Sequence, residues 1–325
     1  VTTLLVSPTF LHRYRAQVGQ AAPGLEFVVL PEDGDARLSD ADCARADIAY
    51  FSGDIFPGLS RSFFAAAQSA ANLKWIHVFN AGVDNPVFQR LLERGIRLTT
   101  SSGSTAQPIA QTAIAGMLML SRGFEHWGAA QRRHAWEPLR AADTPADLAG
   151  QTMVVFGLGA IGSEIARLAR AIGLYVIGIR RSLLRPGDPV DELRPPSALQ
   201  ELLPRTDWLA LACPLTDETR HLIGREQLAA LPPTARILNI ARGEVIDEDA
   251  LVEALREKRI AGAYLDVFRT EPLAVESPLW DMPGVIVTPH NSAAALGNEG
   301  RASAFFLRNL KAWIAGEAME NEVSS

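Results

Sequence analysis

Thr152-Met-Val-Val-Phe-Gly-Leu-Gly-Ala-Ile-Gly162 is the stretch that decides the fold of this 325-residue chain. An apolar, β-branched run leads without a break into glycines at 157, 159 and 162, after which Ile161, Ile165, Leu168 and Ile172 recur every three or four residues. The pattern predicts a buried strand, a tight turn and an amphipathic helix. In such a unit Gly157 permits the turn, Gly159 lets a pyrophosphate approach the backbone, and Gly162 lets the helix pack against the strand. The N–H groups at the helix start, from Ala160 and Ile161 onward, together with the positive dipole end, favour phosphate. We read a dinucleotide site here; the alternative is a glycine turn made only for packing.

On both sides of this unit, short β-rich runs alternate with helical ones. Before it come Leu4 to Val6, Phe27 to Leu30, Ile48 to Phe51, Trp75 to Phe79 and Ile96 to Thr99; a long helix follows, from Ala106 to near Arg122. The segment containing His126, Trp127, Arg132, Arg133, His134 and Trp136 reads as irregular or weakly helical. A second series of strands is expected at 152–156, 174–179, 208–213, 236–241, 261–267 and 285–288, six in all, the count of a full dinucleotide-binding sheet. Such alternation predicts an α/β protein with parallel sheets covered on both faces. Only the tail after Glu317 is expected to fray.

The strand at 174–179 should end beside the adenosine ribose, where an acidic residue commonly accepts from the 2′-hydroxyl. Arg180-Arg181-Ser182 stands there instead. Two guanidiniums and a hydroxyl suit a 2′-phosphate, so NADP(H) is favoured, with NAD(H) the alternative if these residues are a solvated basic turn.

Composition narrows the function classes. With 31 basic and 37 acidic side chains the net charge is −6, which argues against nucleic acid as a partner. No apolar stretch is long enough to span a membrane, and Val1 to Val6 reads as a first strand, not a secretory signal. Cys43 and Cys213 are too few for a disulfide framework and suit a reducing, cytoplasmic setting. No cluster has metal-ligand spacing.

Three candidate catalytic residues follow predicted strand ends, which line the ligand crevice of an open α/β sheet: Arg242, Glu271 and His290. Taken singly, each also reads as a surface charge, a helix start or a turn. The forked cation of Arg242 suits a carboxylate and its adjacent carbonyl. His290 suits proton exchange with a carbonyl or hydroxyl oxygen, and a carboxylate at Glu271 would orient its ring.

At these residues the sequence resembles the D-isomer-specific 2-hydroxyacid dehydrogenase family, in the manner of glyoxylate/hydroxypyruvate reductases. The resemblance is carried by Gly157-Leu-Gly-Ala-Ile-Gly162, Cys213-Pro-Leu-Thr-Asp-Glu-Thr219, Asn239-Ile-Ala-Arg-Gly-Glu-Val-Ile-Asp247, Leu265-Asp-Val-Phe-Arg-Thr-Glu-Pro272 and Thr288-Pro-His290. It implies a catalytic Arg242, Glu271 and His290, and cofactor contacts from Cys213, Pro214, Thr219, Ile240, Ala241, Arg242, Asp266 and His290 in addition to the glycine turn. In Asn80-Ala-Gly82-Val-Asp84, backbone N–H groups of Ala81 and Gly82 would bind the substrate carboxylate alongside Arg242 and His290.

The resemblance also implies a discontinuous layout. Residues 1–102 and 289–325 would form a flavodoxin-like substrate domain, and residues 103–288 a Rossmann domain. A homodimer is expected, with Trp136 reaching the neighbouring subunit's pocket or, more plainly, packed in the interface or the core. The implied activity is reduction of a small 2-oxo acid to a D-2-hydroxy acid. The rival reading is a dinucleotide-gated binding protein of corepressor type on the same scaffold.

Overall fold

The computed structural model describes residues 1–323 except Asp35, Asp84 and Leu184, and leaves the side chain of Ala142 aside. The chain divides into two compact units, Val1–Thr105 with Ala295–Ser325, and Ala106–Ala294. Residues 289–294, read from sequence as part of the first unit, group with the second.

The first unit runs β1 (Thr3–Val6), α1 (Pro8–Ala21), β2 (Glu26–Val29), α2 (Asp40–Arg45), β3 (Ile48–Phe51), α3 (Ser60–Ser69), β4 (Trp75–Val78), α4 (Pro86–Glu93) and β5 (Arg97–Thr100). Among the described residues its sheet is parallel with strand order β2-β1-β3-β4-β5, the flavodoxin-like order. Strands β1, β3 and β4 are buried along their whole length, so both faces must be covered. α1 helps to cover one face through Phe10 and Val18, while α3 and α4 cover the other through Phe63, Ala67 and Leu91.

The second unit runs α5 (Ala106–Arg122), α6 (Phe124–Arg132), β6 (Thr152–Phe156), α7 (Ala160–Ala171), β7 (Tyr175–Ile179), β8 (Glu192–Arg194), α8 (Leu199–Leu202), β9 (Trp208–Leu211), α9 (Arg225–Ala230), β10 (Arg236–Asn239), α10 (Glu248–Arg256), β11 (Gly262–Leu265) and β12 (Val285–Val287). Among the described residues its parallel sheet has the order β12-β11-β10-β9-β6-β7-β8. α5 lies against this sheet because Gly116 has no side chain; a Cβ there would sit 2.5 Å from the Tyr264 ring. The first unit resumes with α11 (Asn298–Ala315), whose Phe306 and Leu310 are buried with Phe10 and Tyr50.

The structure corrects three expectations. The second sheet has a seventh strand, β8, a polar three-residue edge piece that no apolar run announces. Residues 124–132 form a regular helix, whose periodicity is hidden because only Ala130 is buried. From Glu317 to Val323 the tail is anchored. Asn309 bonds both the N–H and the C=O of Glu320, at 2.7 and 2.9 Å, Arg97 pairs with Glu322, and Val323 N–H donates to Leu98 O at 2.8 Å.

Candidate active site

β10, β11 and β12 are neighbours and parallel, so the segments that follow them leave the sheet along one edge. Arg242, Glu271 and His290 lie in those three segments. At about 5 Å per strand spacing, the strand ends span roughly 10 Å, which brings residues distant in sequence to one front.

The central contact is direct: His290 Nδ1 lies 2.7 Å from Glu271 Oε2. The other oxygen of Glu271 accepts from Phe268 N–H at 3.0 Å, so the carboxylate is held at both ends and orients the ring. His290 has φ of 50°, a left-handed conformation that non-glycine residues seldom adopt and that costs about 1–3 kcal/mol where it persists. Its N–H donates to Asp266 O at 2.8 Å, which helps to hold it there.

Asp266 is the hub of this loop. It is buried, and its carboxylate accepts from Thr288 Oγ1 (2.6 Å), Asn291 N–H (3.0 Å), Ser292 N–H (3.1 Å) and the Ser292 hydroxyl. Thr288 in turn contacts the Tyr264 hydroxyl at 2.9 Å, and burial pushes that phenol up to about 12, so it stays protonated. The resemblance suggests a cofactor contact for Asp266; in the structure its two oxygens are already engaged by residues 288–292.

Arg242 begins a short turn after β10. Buried Asn239 staples that turn, accepting from Ala241 N–H and donating to Arg242 O, both at 3.1 Å. The guanidinium donates from Nη1 to Ala241 O at 2.7 Å. Gly243 then packs on the chain leading to Glu271: a Cβ would sit 1.9 Å from the Phe268 carbonyl carbon, a clash no side chain can absorb. The Arg242 turn and the Glu271 loop are thus in register through bare backbone. Sequence reading gave no role to Asn239, Gly243, Thr288 or Ser292, although the first three lie inside the quoted motifs.

The glycine turn has the geometry its sequence demands. Gly157 has φ of 101°, and a Cβ there would meet the Ala212 backbone at 2.7 Å. A Cβ on Gly162 would lie 1.8 Å from Gly157 O. Gly159 caps α7 with nothing within 4 Å of its missing Cβ, and no side chain caps the helix, so the first N–H groups of α7, from Ala160 and Ile161, have no capping side chain. This cradle fits a pyrophosphate.

The flanking loops are self-supported. Thr219 donates to Pro214 O and accepts from Thr216 N–H, each at 2.7 Å, which ties together the loop after Cys213. Burial pushes the Cys213 thiol up to about 11, so it is no nucleophile at neutral pH. Ile240 and Ala241 are buried directly after β10.

The three residues after β7 separate in role. Arg180 is nearly buried and holds Asp188 with both terminal guanidinium nitrogens, and it also donates to Ser182 O and Leu183 O. That pairing holds the Asp188 carboxyl below its ordinary value. Arg181 is 77% exposed and only 3.7 Å from exposed Glu218. Arg180 is thus spent on shaping the loop, whereas Arg181 faces solvent.

In the first unit, Asn80 Nδ2 donates to Gly82 O across the loop after β4; Ala81 is exposed, Gly82 half-buried, and Asp84 lies outside the described residues. His77 is buried between Thr99 Oγ1 and Ser101 Oγ, at 2.7 and 3.0 Å, and burial pushes it down to about 3, so it is a neutral structural group. Trp136 is 97% exposed on this chain. Among the described residues no helix is long and apolar enough to cross a membrane.

The family model for the D-isomer specific 2-hydroxyacid dehydrogenase NAD binding domain matches residues 114–292. A D-3-phosphoglycerate dehydrogenase of Methanocaldococcus jannaschii is 34% identical over 79% of this chain; the chain spans about half of that relative's length, 48%. A glyoxylate/hydroxypyruvate reductase B of Pectobacterium carotovorum is 34% identical over 83% of this chain and 90% of its own. Among solved structures, a D-isomer specific 2-hydroxyacid dehydrogenase from Xanthobacter autotrophicus, in complex with NADPH and MES, superposes with a TM-score of 0.78 at 30% identity, covering 99% of this chain and 98% of that one.

Proposed function

Because this chain belongs to the D-isomer specific 2-hydroxyacid dehydrogenase family, we propose that it reduces small 2-oxo acids to D-2-hydroxy acids and prefers NADP(H). The observation that carries this reading is the 2.7 Å contact between His290 and Glu271 on the sheet edge that also bears Arg242. Bound nicotinamide dinucleotide supplies the hydride.

The chain's own groups do the rest. Arg242 grips the substrate carboxylate and polarises the neighbouring carbonyl, while the N–H groups of Ala81 and Gly82 offer donors of the same kind. His290 gives a proton from Nε2 to the carbonyl oxygen and takes it back in the reverse direction. Glu271 holds the ring through Nδ1. The backbone N–H groups at the start of α7 take the pyrophosphate, and Arg181 with Ser182 takes the 2′-phosphate, displacing the long contact to Glu218.

A panel of 2-oxo acids, including glyoxylate, hydroxypyruvate and branched or aromatic members, assayed with NADPH and NADH, tests the proposal through kcat/KM. Turnover of several members is expected. No turnover on any of them, together with dinucleotide-dependent capture of a partner, would favour the corepressor-like reading instead.

Cofactor choice has its own test. Arg181→Ala should lower kcat/KM for NADPH roughly 10- to 100-fold, the value of one charge-assisted contact, and leave NADH almost unaffected. An equal loss with both cofactors, or wild-type preference for NADH, would remove the 2′-phosphate role. For the dyad, Glu271→Gln keeps the shape and the contact to Phe268 N–H but turns an amide toward Nδ1. We expect kcat to fall up to about 100-fold with unchanged thermal unfolding; activity within a factor of about two of wild type would show that the carboxylate does not orient the ring.

The solvent-facing aromatics Trp136, Trp127 and Phe124 on the α6 arm support a homodimer. Light scattering after size exclusion should report twice the chain mass, and a monomer at micromolar concentration would contradict it. A cytoplasmic, reducing setting fits the two buried unpaired thiols, Cys43 and Cys213.

A further inference from the structure

The first unit holds a cavity of about 720 Å³, and of the residues given a part in the chemistry above only Gly82 lines it. It lies between α3 and α4, beneath the loop after β4, and its volume falls within the range of small-molecule sites. Its walls are unusually aromatic. Phe64 of α3 and Phe88 of α4 meet edge to face at 5.6 Å, and Phe51 bridges to Phe64 and Phe79 at 4.7 and 5.5 Å. Phe56 stands at the mouth, 63% exposed and 6.4 Å from the Phe79 ring. These rings come from the ends of two strands, the loop after β3 and both helices.

The rim is cationic. Arg61 and Arg90 line the cavity and are exposed, and among the described residues neither makes an ion pair or a hydrogen bond. Elsewhere in the unit Arg13, Arg45, Arg97 and Arg308 each hold a carboxylate. None of the described lining residues is acidic. An apolar slot of ring-shaped surfaces with two uncommitted guanidiniums at its edge complements one class of ligand. The rings offer edge and face contacts to a planar aromatic body, and the guanidiniums offer forked donors to an anion attached to it.

We propose that this cavity is a binding site for a planar aromatic carboxylate, which it takes without Arg242 or His290. A two-carbon acid such as glyoxylate would leave most of the volume and the aromatic wall unused, whereas a bicyclic acid fills both. The proposal does not depend on the reaction assigned above, because the aromatic walls and the two guanidiniums on which it rests have no part in that reaction.

The test uses the full chain and naphthalene-1-acetate, which has no 2-oxo group and cannot be reduced. Calorimetric titration should give saturable binding, and the uncharged naphthalene-1-methanol should bind at least about tenfold more weakly, as expected for loss of a charge-assisted contact. The double charge reversal Arg61→Glu with Arg90→Glu, at exposed positions, should weaken binding of the acid by at least about tenfold and leave turnover of 2-oxo acids unchanged. Phe64→Ala should weaken it too. Arg242→Ala should leave it intact. No binding, binding that survives the charge reversal, or binding lost with Arg242→Ala would each overturn the proposal. The last result would merge the cavity with the substrate site, whereas a failure of 2-oxo acid turnover alone would not touch it.

Discussion

Replacing His290 by alanine is expected to cut kcat by about 100- to 10,000-fold, the range for losing one positioned general acid, with cofactor affinity little changed. The expectation follows from how the ring is held. Glu271 fixes Nδ1 at 2.7 Å, so the proton that moves belongs to Nε2, and among the described residues no other titratable group is bonded to the ring to take over. The backbone at His290 also sits in the left-handed region with φ of 50°, where a tertiary bond to Asp266 O retains it. Such local strain persists only when the surroundings over-determine it, and it recurs at functional positions. Because the strain belongs to the backbone, alanine inherits it; the variant should fold and bind dinucleotide, and only the chemical step should suffer. Single-turnover measurements with NADPH would separate the two effects. A variant that retains more than about a tenth of wild-type kcat would remove His290 from the proton path.

Asp266→Ala should be damaging in a different way. The buried carboxylate serves four donors from Thr288, Asn291 and Ser292, and among the described residues no cation shares it. Removing it strands the buried N–H and hydroxyl of Ser292, each worth about 1–3 kcal/mol when unsatisfied, and frees the partly buried donors of Thr288 and Asn291, so a loss of about 3–5 kcal/mol in unfolding free energy is expected. The loop that carries His290 would be released at the same time, and kcat should fall even where the variant is still folded. Asp266→Asn should fall between the two, since one amide oxygen remains to accept while the amide nitrogen faces donors. Urea unfolding and kcat on the same samples test this. Wild-type stability with impaired cofactor binding would instead favour a direct ligand role for Asp266.

Much of the fold was legible before any coordinates. The alternation of short buried runs with helical ones predicted parallel sheets, and the strands at 48–51 and 152–156 fall where their apolar runs lie. The glycine turn was legible because its requirement is local: a positive φ at Gly157 and backbone contact at Gly162 exclude any side chain. The helix at 124–132 escaped because a mostly exposed helix carries little apolar periodicity, and β8 escaped because a three-residue edge strand is read by its neighbour rather than by its own sequence. The anchored tail escaped for a similar reason: its partners, Asn309, Arg97 and Leu98, are remote in the chain.

The candidate site divides along the same line. Arg242, Glu271 and His290 were readable as strand-end residues within family-like motifs. The separation of Arg180 from Arg181 was not, because it depends on Asp188 arriving beside one of two adjacent guanidiniums. Nor was the support given by Asp266 and Gly243, which rests on contacts between loops that follow different strands. The amino-acid order alone determined strand and helix positions, the glycine turn and the identity of the reactive side chains, since periodicity and steric allowance are properties of neighbouring residues. Tertiary structure alone decided which side chains meet, which are spent on support and which stay free, since hydrogen bonds and ion pairs are set by ångström distances that packing imposes.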